Sequence, residues 1–218
     1  MNRPEIITTP VLTDLPLLAR CHRKSFPKAL STAMGQAYVE KMLEWYIVDD
    51  HAFLFYLKMG ERCVGYCGGL LADGQRVKGS ASSMIQYSFN KALVSILIRP
   101  WLLFHAEFLK KYKLVIKNVW RRFTRVFIKY ENMKSVNSSI PPHTGLIVIG
   151  VDPAYQGKGY GSMLLAEFEN QSKLRKYNYM MLTVLQSNKT AIESYKRNGW
   201  EITRYMGNAL AMEKRIEV

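Results

Sequence analysis

The chain is poor in several things, and each scarcity excludes something. Only three cysteines, Cys21, Cys63 and Cys67, occur in 218 residues. The count is odd and no C-x-x-C pair is present, so neither a disulfide framework nor a cysteine-rich zinc site is expected. A reducing, cytoplasmic setting is the natural reading. Cys63 and Cys67 sit four apart in a strand-like run, so they are expected to face one side of a sheet as small core residues. Fourteen glycines and eight prolines are too few for collagen-like or proline-rich low complexity. Long hydrophobic runs are missing too. The longest, Ala92 to Phe104, is broken by Arg99 and Pro100 and falls short of the ~20 apolar residues of a membrane span. The opening Met-Asn-Arg-Pro-Glu-Ile-Ile lacks the basic-then-apolar pattern of a secretory signal.

Acidic residues are the other shortage. Seventeen Asp and Glu stand against 31 Lys and Arg, a formal charge of +14. Residues 72–144 hold thirteen of the basic residues and three acids, so ten of the fourteen excess charges lie there. One inserted region, rather than the whole chain, therefore looks for a negative partner. What is plentiful is apolar: 48% hydrophobic against 22% charged is a globular balance, not a disordered one. A chain of this length can bury a sizeable core. The expectation is one domain over residues 1–218, with 72–144 as a basic helical insertion within it.

Periodicity supplies the element order. Glu5 to Thr9 reads as a strand, and Thr13 as the N-cap of a helix with Asp14 and Pro16 in its first turn. That helix ends near Phe26-Pro27, and a second runs from Gly35 to Tyr46. Ala52 to Lys58 and Arg62 to Leu71 read as an antiparallel pair about a Met59-Gly60-Glu61 turn. Gly65, Gly68 and Gly69 in the second strand point to a bulge or a close backbone approach. Ala92 to Phe108 is apolar nearly all round, with Pro100 as a kink. Tyr112 to Tyr130 is amphipathic: Ile116, Val119, Trp120, Phe123, Val126, Phe127 and Tyr130 form a stripe opposite a basic face. Ser135 to Pro142 reads as a returning loop. Gly145 to Val151, Tyr177 to Leu185, Trp200 to Met206 and Asn208 to Lys214 read as strands. Gly159 to Arg175 and Asn188 to Asn198 read as helices, the latter ended by Gly199.

The strongest chemical signal is Val151-Asp-Pro-Ala-Tyr-Gln156-Gly157-Lys158-Gly159-Tyr160-Gly161, between a strand and a helix. Alternating glycines let backbone approach a ligand closely. The loop runs into a helix N-terminus, where free N–H groups and the helix dipole favour an anion. Lys158 adds positive charge. The combination is a pyrophosphate cradle. A Walker loop would need Gly-Lys-Ser/Thr, whereas Lys158 is followed by Gly159. A dinucleotide fingerprint would need an acid about 20 residues on.

The spacing Gln156-x-x-Gly159-x-Gly161 resembles that of the GNAT superfamily of N-acetyltransferases, and the element order of residues 5–71 and 145–214 is similar to that family's. The resemblance implies an α/β fold with a mixed, mostly antiparallel central sheet flanked by helices, here with an inserted helical segment. It implies acetyl-coenzyme A as cofactor, held by Gln156, Gly157, Lys158, Gly159, Tyr160 and Gly161. Backbone groups of Ile149 and Val151 would align the pantetheine, polarise the thioester and hold the oxyanion. A second stretch, Leu185 to Trp200, also fits: Asn188 would contact the pantetheine, and Tyr195 would protonate the leaving thiolate. The two are seven residues apart, so one helix face can offer both. The expected reaction is direct attack of a primary amine of a small molecule or amino sugar on the acetyl group. Some relatives carry a Glu base on the central strand, but Gly145 to Val151 has no acid. Water, Glu40, Asp49, Asp50, His51 and His143 stay open as the base.

Three readings of the basic insertion also stay open. It could hold an acidic or phosphorylated acceptor, or lie peripherally on an anionic membrane surface. It could equally pack on the core or on a second subunit of a homodimer, its basic face simply solvated. A specific nucleic-acid partner is not expected, since no recognised motif accompanies the charge. Two other functions remain: acetylation of protein N-termini or lysines, and non-catalytic acyl-coenzyme A binding or membrane docking.

Overall fold

The computed structural model describes residues 4–73, 81–109 and 141–217. The amphipathic stretch 112–130, most of the loop 135–142 and most of the basic excess lie outside these residues. The architecture is the expected mixed α/β one. Seven strands form one sheet: β1 (Glu5–Ile7), β2 (Ala52–Met59), β3 (Arg62–Ala72), β4 (His143–Val151), β5 (Tyr179–Leu185), β6 (Glu201–Met206) and β7 (Ala209–Arg215). Their order is β1-β2-β3-β4-β5-β7-β6. Every pairing is antiparallel except β4 with β5.

Helices cover both faces. On one side lie α1 (Leu15–Ser25), the short α2 (Leu30–Ala33), α3 (Gln36–Val48), α4 (Ala81–Tyr87) and α5 (Phe89–Ile98). On the other lie α6 (Tyr160–Leu174) and α7 (Lys189–Arg197). Alternation along β2 feeds two cores. Phe53, Phe55 and Leu57 join Leu164, Leu165 and Phe168 of α6, while Leu54 and Tyr56 join Leu18, Leu43 and Trp45. This is the period of two expected of a strand buried on both sides.

Three expectations need correction, and one element was missed. Thr13 is not an N-cap: Leu12–Asp14 forms a 3₁₀ turn, and the Asp14 carboxylate accepts the Val11 N–H at 3.0 Å. α2 was not foreseen, being a single turn without a periodic stripe. Cys63 and Cys67 do not share a face. The β2–β3 register slips at Leu57/Lys58, so Val64 is an extra residue, Cys63 joins the α1/α3 core and Cys67 the α6/α7 core. Pro100 ends α5 rather than kinking it, and Pro100–Phe104 continues as a 3₁₀ turn.

The glycines of β3 mark close approach. A Cβ at Gly69 would stand 2.5 Å from the Phe53 ring and 2.7 Å from that of Phe168. Any larger residue would push apart the two rings, whose centroids are 5.5 Å apart, and lift α6 from the sheet.

Candidate active site

The site begins with a defect in the sheet. β4 and β5 pair only over Thr144–Leu146 and Met180–Leu182, although β4 runs on to Val151 and β5 to Leu185. A second bulge sits at the same place: Gly69 pairs with Leu146 and Gly68 with Val148, leaving Ile147 as an extra residue. Bulges bend a strand and stop pairing. The two parallel strands diverge, and β4 backbone from Ile147 to Val151 loses its β5 partner. Backbone donors and acceptors facing that gap have no ladder to satisfy them, so an extended amide-bearing ligand can take the missing strand's place.

At the wide end of the gap, Asp152 turns the chain. It is buried, accepts the Ala154 N–H at 3.1 Å and pairs with Lys24 of α1 at 3.0 Å. The Gln156 side-chain amide donates to the Val151 carbonyl at 3.0 Å, closing the loop on itself. Gly157 and Gly159 have φ of +76° and +83°, which L side chains rarely adopt. A Cβ at Gly157, Gly159 or Gly161 would meet nothing within 4 Å, so these glycines face open space rather than packed protein. Gly159 caps α6 without a side chain. The first helical bond is Met163 N–H to the Gly159 carbonyl at 3.1 Å, so the amides of Tyr160, Gly161 and Ser162 precede it.

The gap, the loop and α7 enclose a cleft of about 420 Å³. Of the ten residues foreseen, nine line it: Ile149, Val151, Gln156, Gly157, Gly159, Tyr160, Gly161, Asn188 and Tyr195. Lys158 does not. Its amine donates to the Ala154 carbonyl at 3.3 Å, turned back on its own loop. Asn188 also caps α7, its Oδ1 accepting the Ala191 N–H at 3.3 Å. Tyr195 is buried on the next turns of the same helix. Burial, then the neighbouring Cys67 thiol, raises its phenol above the ordinary value of about 10. It therefore keeps its proton at neutral pH.

Sequence reasoning missed Tyr155, Ser162, Leu165, Thr190, Ser194 and Arg197, which also line the cleft. Thr190, Ser194 and Arg197 follow one another at i, i+4 and i, i+3 spacing along α7, a stripe to which the Asn188–Tyr195 spacing does not point. Arg197 is the one cation among the described lining residues, and no acid lines the cleft.

The five candidate bases fall elsewhere. Glu40 lies on α3 and accepts the Gln36 side-chain amide at 2.8 Å. Asp49, Asp50 and His51 form the α3–β2 corner, where the Asp49 carboxylate accepts the His51 N–H at 2.9 Å. His143 opens β4 opposite Ala72, the full length of that strand, about 25 Å, from the loop. None of the five lines the cleft.

A splayed parallel pair, a glycine loop at a helix start and a helix bearing Asn188 and Tyr195 define a GNAT-type N-acetyltransferase fold. The Acetyltransferase (GNAT) family model matches residues 123–200, and the class that this match indicates is an acetyl-CoA-dependent acyltransferase. Among solved structures, the PaiA N-acetyltransferase of Thermoplasma acidophilum in complex with coenzyme A superposes with a TM-score of 0.55 at 14% identity, over 99% of this chain and 100% of that one. The ribosomal-protein-S18-alanine N-acetyltransferase of Escherichia coli gives 0.52 at 15% identity, over 99% and 95%. Ard1 of Thermoplasma volcanium gives 0.56 at 13% identity, over the whole of both chains. At these identities the likeness is one of fold. No curated protein sequence matches the chain.

Proposed function

We propose that the chain moves an acetyl group from acetyl-CoA to the primary amine of a small molecule or amino sugar. The observation that carries this reading is the unpaired β4 edge ending in the glycine loop. The fit is of shape and donors together: a stretch of β4 without a partner strand, then a cradle of free amides with no Cβ in the way. Gly157, Gly159 and the first amides of α6 would hold the pyrophosphate, and Arg197 would add charge nearby. Asn188 and the β4 backbone would hold the pantetheine. When bound, acetyl-CoA supplies an acyl group already activated as a thioester.

The protein's part is position and proton traffic. β4 N–H groups facing the gap would stabilise negative charge on the acyl oxygen as the amine nitrogen bonds to carbon. As the carbon–sulfur bond breaks, Tyr195 Oη would give its proton to sulfur and regain one from solvent. The amine must also lose a proton. With no carboxylate or imidazole among the described lining residues, water is assigned that task.

Calorimetric titration with acetyl-CoA tests the reading. The wild type should bind at one site. Gly159→Glu forces a side chain into positive φ and puts a negative charge where the pyrophosphate would lie. It should weaken binding by roughly 100-fold or more, since backbone strain and charge repulsion each cost on the order of 1–3 kcal/mol. Undiminished binding would refute the loop assignment. Release of free thiol with a panel of amines, amino sugars and peptides then sorts the acceptors. Turnover only with peptide N-termini or lysines would move the assignment to a protein acetyltransferase. Binding without any turnover would leave a carrier of acyl-CoA.

A further inference from the structure

The face of the sheet away from the cleft carries an apolar surface. α4, α5 and the 3₁₀ turn that follows are two-sided. Inward, Met84, Tyr87, Ala92 and Ile96 pack on the α1/α3 core, and Leu102 is buried in it. The attachment is firm. The Tyr87 hydroxyl donates to Glu44 at 2.6 Å, and Arg99 donates to the Met34 carbonyl at 2.8 Å. Outward, Leu93, Val94, Leu97, Ile98, Trp101 and Phe104 are all exposed, with Leu97 at 72%, Trp101 at 64% and Phe104 at 78%. Elsewhere among the described residues, exposed large apolar side chains occur singly, as Val48 and Leu185 do, or in pairs, as Val11–Leu12 and Tyr205–Met206 do. A contiguous patch held on a rigid base marks a docking surface rather than ordinary surface noise.

We propose that this surface docks on an anionic phospholipid bilayer. Charge chooses the occupant. The chain carries +14, and the sequence that follows Leu109 holds nine Lys or Arg and one acid between residues 110 and 134. Two such chains repel one another, whereas anionic headgroups attract them. The outward residues are aliphatic with one Trp and one Phe, the mixture that settles at the headgroup–acyl boundary. No helix among the described residues is long and apolar enough to cross a membrane, so the mode is lying on the bilayer. The cleft lies in the opposite layer, so docking would leave the glycine loop facing solution. The inference stands apart from the acetyl-transfer reading, because it needs no turnover.

Flotation of the full chain with vesicles decides it. The protein should float with phosphatidylcholine vesicles containing phosphatidylglycerol, not with phosphatidylcholine alone, and salt should weaken the association. Leu97→Glu with Phe104→Glu should cut flotation roughly tenfold or more, while an unchanged melting curve shows that the variant folds. Leu97→Lys separates insertion from simple attraction: it adds charge but removes an apolar side chain, so flotation should fall. A rise in flotation with Leu97→Lys would overturn the proposal, as would a double variant that floats like the wild type. Failure of the wild type to float would overturn it too. A dimer in solution that the double variant disperses, without flotation, would instead assign the face to a second copy.

Discussion

The two faces of the sheet solve different problems with the same fold. Beneath α6 and α7 the sheet is left incomplete, and backbone amides and carbonyls of β4 stand open to a ligand. Beneath α1, α3 and α5, strands β2 and β3 are covered, and what the helices offer to the outside is side chain. A ligand that must be held along its length goes with exposed backbone. A partner that must be met over an area goes with an outward apolar surface.

The faces differ inside as well. The α6/α7 core packs ring on ring, with Phe168 between Phe53 and Trp200 at centroid distances of 5.5 and 6.4 Å. The α1/α3 core encloses a polar pair. His22 Nδ1 lies 2.5 Å from the Tyr66 hydroxyl and Nε2 lies 2.9 Å from that of Ser31. A neutral ring satisfies both if Tyr66 donates to Nδ1 and Nε2–H donates to Ser31. Burial pushes the His22 pKa down to about 4.

The sharpest break in the comparison is catalytic. Tyr195→Phe should lower turnover by about 10²–10⁴-fold while leaving acetyl-CoA binding in place, as stopped assays and calorimetry can show together. Unchanged turnover would remove Tyr195 from the chemistry. Next, Phe168→Ala should cost about 3–5 kcal/mol in urea unfolding, because the ring is fully buried between two others. The loss should reach the cleft as well, since α6 carries the loop.

The α1/α3 face should instead show itself through pH. With a folded pKa near 4 against about 6.5 unfolded, His22 takes up its proton more readily in the unfolded chain between those values. Stability is therefore complete above about pH 6.5 and falls as pH drops towards 4, by roughly 3 kcal/mol in all. His22→Asn should flatten that slope in denaturant titrations at pH 7 and pH 4.5. A slope that survives the substitution would place the pH sensitivity elsewhere. The smallest effect belongs to the outward apolar surface: Leu97→Glu with Phe104→Glu should leave unfolding within about 0.5 kcal/mol of wild type.

Much of this was legible in the chain because it is local. The glycine loop, the helix after it and the Asn188–Tyr195 spacing are short-range patterns, and the structure brings them to one cleft. The bulges at Val64 and Ile147 were not legible. They are differences of register between strands, and nothing in β3 or β4 alone fixes where an extra residue falls. Lys158 shows the same limit on a smaller scale, since a sequence places the residue but not the direction of its amine. The outward α5 surface was not legible for another reason. A helix apolar nearly all round does not show which side faces out, and the structure turns half of it outward.

The gap between β4 and β5 has a consequence for motion. In the unliganded chain, the amides of β4 beyond Leu146 that face the gap are protected by no neighbouring strand, although they sit at the centre of the molecule. They should exchange their hydrogens with solvent faster than those of β2 or β3, a soft seam through an otherwise slow-exchanging sheet. Acetyl-CoA, on the proposed reading, would seal that seam as a missing strand does, and the two halves of the sheet would then open only together.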